Sequence, residues 1–378
     1  TKAFREKFGM LPSAYRKIIS SSLDPDTLNE EKLLHLYSGQ THSATKEDSP
    51  LNLYHKLNLT QKENRVFSLD YFISENPTHK SLDITHAINI DKQAFMDTPV
   101  CALRKICTDL SINEISICGS NFTDHEQIFF KHKTNLLNLM DLKFTTASDL
   151  KETSPSTTDS AVSMIGALDL VHRFLDNPTT ALPCCMSHLA PINENKSSLL
   201  LPDNSPLRFL SSSFQTSFGC YTPLFYAEYF LKKLHGSLIF HSDGCAIYKH
   251  ENCYQILCYH KKSLQMYQSL TTSEDYSKEN YSFFVNSFPH MKYSFSFNSI
   301  LTRIQQTTFT LSEDYGSIFS NWQKAGAPEQ INAAMADYLT AVTKPSITTV
   351  FPPFEEKPFI SIELPPLGIA YVELKLLI

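Results

Sequence analysis

The stretch HAINIDKQAFMDTPVCALRKICTDLSINEISIC, residues 86–118, decides the fold class. His86-Ala-Ile-Asn-Ile90 is a short apolar run, and Thr98-Pro99 reads as a helix start with Thr as cap and Pro at the first position. Val100, Leu103, Ile106 and Leu110 then share one helical face, and Glu114-Ile-Ser-Ile-Cys118 reads as a second strand. Strand, helix and strand in this order make a βαβ unit, which implies parallel pairing.

The alternation extends in both directions. Upstream, Val66–Tyr71 alternates as a half-buried strand. Downstream, a helix is expected from about Glu126 to Met140 with Phe129, His132, Leu136, Leu139 and Met140 on one side, followed by a strand at Leu142–Thr146. After a Ser/Thr/Pro loop, Asp159 is expected to cap a helix whose stripe is Met164, Leu168, Val171 and Leu175, and Ala181–Met186 reads as a further strand. Thr222-Pro223 starts another helix that runs through Leu234 and is closed by Gly236.

Beyond Gly236 the period changes from helical to two. Short strands are expected at Ser237–Phe240, Cys245–Tyr248, Tyr254–Tyr259, Lys292–Asn298, Thr307–Leu311, Phe359–Leu364 and Ile369–Leu376, with Tyr293, Phe295 and Phe297 showing the alternation best. Such a set fits a β-sandwich, interrupted by one helix near Pro328 that carries Ile331, Met335, Tyr338, Leu339 and Val342 on a single face. The expected class is therefore α/β plus all-β. The expected partition is a tail at 1–20, a Ser/Thr/Lys/Asn-rich linker at 21–64, an α/β domain at 65–236 and a sandwich domain at 237–378.

With 378 residues, 42% of them hydrophobic, the chain can bury a sizeable core. It contains no apolar run of eighteen residues and no charged-then-apolar leader, so no membrane partner is expected and the cytoplasm is the expected location. The nine cysteines include no CxxC and the fourteen histidines no HxxxH or HExxH, so no metal or other cofactor is expected. Net charge is −6, but residues 1–17 carry +4, leaving −10 on the remainder. Phosphate would repel the acidic body and confine nucleic-acid contact to the basic tip.

Two resemblances sharpen these expectations. Phe4, Phe8, Gly9, Pro12, Tyr15 and Arg16 fall as in the closing signature of the AraC-type DNA-binding domain, which resembles Thr1–Lys17. That resemblance implies a helix-turn-helix upstream as the DNA partner, with Arg5, Lys7 and Arg16 near phosphate. The body is similar to glycoside hydrolase family 39, the β-xylosidase-type (β/α)8 barrel with a flanking sandwich. The likeness is carried by His86–Asp91, Phe218–Ala227, Asp314–Trp322 with Gly326 and Pro328, and Leu364–Leu374. It implies a truncated or degenerate barrel of few parallel strands, lying in the barrel order two, one, eight and seven. Open sheet edges would then invite a homodimer.

A retaining glycosidase needs two carboxyl groups about 5 Å apart. The family's acid/base motif, Trp-Asn-Glu-Pro, does not occur in the sequence, and Thr146-Ala-Ser-Asp149 stands where the nucleophile motif Thr-Glu-Trp-Asn is expected. No catalytic residue is therefore assigned, and the body is expected not to be an enzyme. It is expected instead to be the non-catalytic sensing or dimerisation region of an AraC-family regulator, with carbohydrate binding or glycoside hydrolysis as the alternative. Ala147, Asp149 and His188 are the candidate lining of a residual pocket at the carboxyl ends of the strands, open to a sugar or other small-molecule effector that the sequence does not identify. A replacement acid/base pair among Asp124, Glu126, Glu152 and Glu194 is the less favoured reading beside helix caps and solvated loops. The aromatic run Tyr221, Phe225, Tyr226, Tyr229 and Phe230 is read as core packing ahead of a sugar platform.

Overall fold

The computed structural model describes residues 64–68, 81–82, 87–118, 123–137, 143–147, 161–176, 201, 205–208, 213–242, 244–265, 290–296, 303–352 and 359–377. The basic tail with Arg5, Lys7 and Arg16, the linker up to residue 63, the expected strand at 181–186, Asp149 and His188 lie outside them.

In chain order, β1 (Asn64–Ser68) and β2 (Ser81–Leu82) precede β3 (Ala87–Asp91), α1 (Lys92–Asp97), α2 (Val100–Asp109), β4 (Glu114–Cys118), α3 (Asp124–Leu137), β5 (Lys143–Ala147) and α4 (Met164–Asp176). Helix α5 (Pro223–Lys233) leads into β6 (Gly236–Ser242), β7 (Cys245–His250), β8 (Cys253–Tyr259), β9 (Met291–Ser296) and β10 (Arg303–Leu311). Then come α6 (Ile318–Lys324), α7 (Ala333–Val342), β11 (Ser346–Val350), β12 (Phe359–Leu364) and β13 (Ile369–Leu377).

The βαβ reading of residues 86–118 corresponds to β3, α2 and β4, paired in parallel from Ala87↔Glu114 to Asp91↔Cys118. Leu103, Ile106, Cys107 and Leu110 are buried on the inner face of α2. One detail shifts. Thr98 does not cap α2 but closes α1, with both its amide and its hydroxyl donating to Ala94 O, so Pro99 becomes the N-cap. Helix α1 itself follows from Asp91, whose carboxylate accepts from Gln93 N at 2.7 Å and Ala94 N at 3.4 Å.

The order of the parallel strands corrects the expectation. The sheet runs β3-β4-β5, with β5 registered directly on β4 from Glu114↔Lys143 to Cys118↔Ala147. The order inferred from an excised barrel would have set β3 and a further strand between these two. The observed neighbours are what a single crossover helix, α3, produces, because consecutive strands joined this way pack side by side. Among the described residues this sheet has three strands and does not close into a barrel.

The all-β part is a two-sheet sandwich. Its larger sheet has seven strands in the order β11-β10-β13-β8-β7-β6-β2, and the smaller has the order β1-β9-β12. Strand β1 pairs in parallel with β9, and β2 pairs with β6, so the segment ahead of β3 belongs by hydrogen bonding to the sandwich. Alternation places Ile247, Ile256 and Val372 of the large sheet against Phe295, Ile360 and Ile362 of the small one. Tyr293 ties the sheets together, its hydroxyl donating to Tyr259 O at 3.0 Å and Gly244 O at 3.2 Å.

The other face of the large sheet packs on α4 and α5. Phe174 stacks on Tyr248 at 6.5 Å, Phe230 on Tyr371 at 5.9 Å, and Tyr259 Oη meets His172 Nδ1 at 2.8 Å. The Lys233 ammonium is held by Glu373 at 2.9 Å and lies over the rings of Phe309, Tyr371 and Tyr229. This cation–π cage pins the end of α5 to the sheet. Among the described residues, no helix is long and apolar enough to cross a membrane.

Gly236, read from sequence as the close of α5, sits at φ +90° at the helix-to-strand junction. A Cβ there would lie 2.3 Å from Lys249 O on the neighbouring strand, a backbone atom that cannot rotate away. Gly236→Ala is therefore expected to cost about 2 kcal/mol, from left-handed strain and forced separation of β6 and β7. A urea midpoint equal to that of the parent would contradict this.

Candidate functional site

Two places were weighed as the site: the carboxyl ends of the parallel strands and the aromatic run before and within α5. At the first, Asp91, Cys118 and Ala147 form one row across β3, β4 and β5. Ala147 thus stands at the carboxyl end of its strand, as expected. Its proposed companions, Asp149 and His188, lie outside the described residues, so nothing is brought together with it. The sequence reading passed over Asp91, the carboxylate in this row, although its cap geometry commits it to the α1 amides.

The replacement acid/base reading fails for Glu126. Its carboxylate accepts from Thr123 N at 2.7 Å and pairs with Lys92 at 2.7 Å, closing a capping box at the start of α3. The Lys92 ammonium, followed by the Thr123 amide, holds the Glu126 carboxyl down to about 2. A group so acidic carries no proton to donate near neutrality. Asp124 stands in the first turn of the same helix, and Glu152 and Glu194 lie outside the described residues.

The aromatic run does form a cavity. The cleft, of about 540 Å³, lies between α2, the segment before α5, α5 itself, α7 and the paired strands β10 and β11. Local sequence explains the α5 wall. Thr222 caps α5 and Pro223 opens it, so positions 225, 226, 229 and 230 recur on the face turned towards β10. Phe225 and Phe230 are buried, whereas Tyr221, Tyr226 and Tyr229 are half-buried. The core-packing reading therefore holds for the two phenylalanines, and the tyrosines line the opening.

Tyr221 is the most constrained of the three. Its ring stacks on Phe225 at 3.7 Å and 7°, Lys105 Nζ lies 4.8 Å from its centroid, and its hydroxyl donates to Asp109 Oδ2 at 2.5 Å. Burial first, and then the Asp109 carboxylate, push the Tyr221 phenol well above its ordinary range, so it remains a donor. Tyr226 donates to Thr343 O at 2.9 Å and is likewise pushed up, chiefly by burial. Phe230 and Phe309 form the floor, while Lys105, Asp109 and Lys344 stand exposed at the rim.

An apolar floor, phenol walls and a rim bearing both signs of charge suit a ligand with an apolar face and hydroxyl edges. Asp109 is the one carboxylate among the described residues that line the cleft. Among the described residues that line it, the cleft offers no carboxyl pair across a bond. No group of three or more metal-ligating side chains occurs among the described residues.

No family model matches the sequence, and no curated protein matches it. Among solved structures, the chain is similar to a GH39 enzyme from Xanthomonas axonopodis pv. citri at 10% identity and TM-score 0.42, covering 70% of this chain and 55% of that one. It is similar also to a monomeric β-xylosidase from Caulobacter crescentus CB15 at 11% identity and TM-score 0.42, covering 75% and 60%. A bacterial orthologue of human α-L-iduronidase follows at 11% identity and TM-score 0.38, covering 70% and 49%. The chain thus spans less than two thirds of each of these proteins. The expectation that the body is not an enzyme is corrected here, since the solved structures it resembles are glycoside hydrolases. A likeness this distant assigns no role to any residue, and none of the comparisons shows an AraC-type helix-turn-helix.

Proposed function

We propose that this chain is a carbohydrate-active domain that holds a sugar ring in the cleft between α2, α5 and α7. The observation that carries the reading is the joint presence, around one cavity of about 540 Å³, of half-buried Tyr221, Tyr226 and Tyr229 with Lys105, Asp109 and Lys344 at its rim. A pyranose presents C–H groups on its faces and hydroxyls at its edge, so it needs aromatic walls and charged hydrogen-bonding groups together. Lys105 Nζ lies 4.8 Å from the Tyr221 ring centroid, and its ammonium can donate to a hydroxyl there. Asp109 has a second carboxylate oxygen to accept one.

Calorimetric titration with xylose, xylo-oligosaccharides and uronic acids tests the proposal. Asp109→Asn is expected to weaken binding about tenfold, the worth of one charge-assisted hydrogen bond, with little change in stability because the amide oxygen still accepts from Tyr221. Absence of heat with every sugar, or unchanged affinity in the variant, would sink it. A second reading, regulation of the AraC type through DNA, is favoured by the +4 charge of residues 1–17 against −10 on the rest. Its test is a mobility shift of the full-length protein on promoter DNA, and the sugar would then be the effector.

A further inference from the structure

Helix α7 and the segment through β11 carry exposed apolar side chains. The helix sequence Ala333-Ala-Met-Ala-Asp-Tyr-Leu-Thr-Ala-Val342 contains one charge, Asp337, yet of its side chains only Leu339 is buried. Tyr338 and Val342, together with Ile347, Val350 and Phe351 just downstream, are between 37% and 65% exposed. Solvent-facing helix surface of this composition is ordinarily polar.

Strand β11 is also the terminal strand of the seven-stranded sheet, bonded to β10 on one side and to no strand among the described residues on the other. Sheets guard such edges with Lys, Pro, inward charges, bulges or very short strands. The opposite edge is guarded in this way, since β2 has two residues. By contrast β11 is Ser346-Ile-Thr-Thr-Val350, uncharged, unbulged and β-branched at four of its five positions. A row of free N–H and C=O groups along such a strand is a template for another strand.

The sequence of β11 identifies which strand. Laid antiparallel on itself about Thr348, it sets Thr348 against Thr348, Ile347 against Thr349 and Ser346 against Val350, so no charge meets a like charge. The nearest cation, Lys344, would face Pro352 of the other copy and not its own equivalent. A charged peptide would find no complementary charge on this strand, and pairing about a two-fold axis uses up both open edges and closes the assembly. We infer that two copies of this chain associate through β11, antiparallel about Thr348, joining their seven-stranded sheets into one.

Sedimentation velocity of the whole chain over a range of concentrations tests this. The parent is expected to shift from one to two chains as concentration rises. Thr348→Lys, an exposed substitution, places two ammonium groups face to face at the axis and is expected to leave a monomer at every concentration, as is Thr348→Glu. Mixing the two variants is expected to restore the dimer, because Lys then faces Glu. A parent that stays monomeric, a dimer that survives Thr348→Lys, or a mixture that fails to reassociate would each overturn the inference. Circular dichroism of both variants, matched to the parent, confirms that they are folded.

Discussion

Trp322→Ala is expected to lower stability by about 4 kcal/mol, the largest loss among the substitutions considered. Trp322 is the chain's one tryptophan, 1% exposed, and belongs to the core shared by α6, α7 and the large sheet. Its ring lies against Phe319 at 6.4 Å, and its indole N–H donates to Pro328 O at 3.1 Å. Its own carbonyl accepts from Ala327 N at 2.9 Å, where the chain turns at φ +48°. Truncation therefore opens a void and leaves a carbonyl without its donor, two costs that add. Trp322→Phe keeps most of the volume and loses the hydrogen bond, so about 2 kcal/mol is expected. Urea melts followed by circular dichroism measure both, and a midpoint for Trp322→Ala equal to the parent's would contradict the packing described. In the parent, tryptophan emission reports on this one place. Coincident melting by emission and by circular dichroism is expected if α6 unfolds with the sheet.

Much of this core was legible because its signals are local. Thr222-Pro223 starts α5 as written, with Thr222 Oγ1 accepting from Phe225 N, since a cap and a fixed proline φ need no distant partner. Met164, Leu168, Val171 and Leu175 are buried on α4 as the period requires, and Tyr293 and Phe295 point into the sandwich. Other features depend on contacts far along the chain. The strand order β3-β4-β5 depends on which strand the α3 crossover delivers to β4, and pattern alone does not carry that. Helix α7 shows a sequence face of Ile331, Met335, Tyr338, Leu339 and Val342, yet the fold buries Leu339 and exposes Tyr338 and Val342. Apolar periodicity marks a surface that wants a partner without saying whether the partner is in the same chain.

The cleft was half legible. Spacing of three and four along a helix places Tyr221, Phe225, Tyr226, Tyr229 and Phe230 together and favours core packing over a sugar platform, while the opposing walls are invisible from local pattern. Asp109 stands 112 residues from Tyr221, too far along the chain for local pattern to join the two. Lys344 and Ile347 come from the turn after α7 and from β11, more than a hundred residues later. Nothing in their own neighbourhoods signals a shared cavity. The residual-pocket reading at Ala147, Asp149 and His188 came from a resemblance, and only Ala147 lies within the described residues.

Helix α3 carries the second large prediction because its rotation defies its sequence. The expected stripe included Phe129 and Leu136, which are 49% and 40% exposed, while the helix buries Lys133, Thr134 and Leu137. The reason is the lysine. Its ammonium donates to Phe95 O, to Met96 O at 3.1 Å and to Thr98 O at 2.5 Å, satisfying the carbonyls that the end of α1 leaves open. Lys133→Met keeps the length of the side chain but removes all three donors, so a loss of about 3 kcal/mol is expected near neutral pH. Burial pulls the Lys133 ammonium down to about 8, with Asp97 opposing. Its pKa is then lower in the folded chain than in the unfolded one, so between about pH 8 and the ordinary lysine range near 10.4 the unfolded chain binds more protons. Within that window Lys133 makes stability rise with pH, and the gap between the parent and Lys133→Met should widen from pH 7.5 to pH 10. Urea midpoints of the two proteins at both values measure it. A gap that narrows as the pH rises would mean that the ammonium is stabilised by its carbonyl cage beyond the cost of its burial.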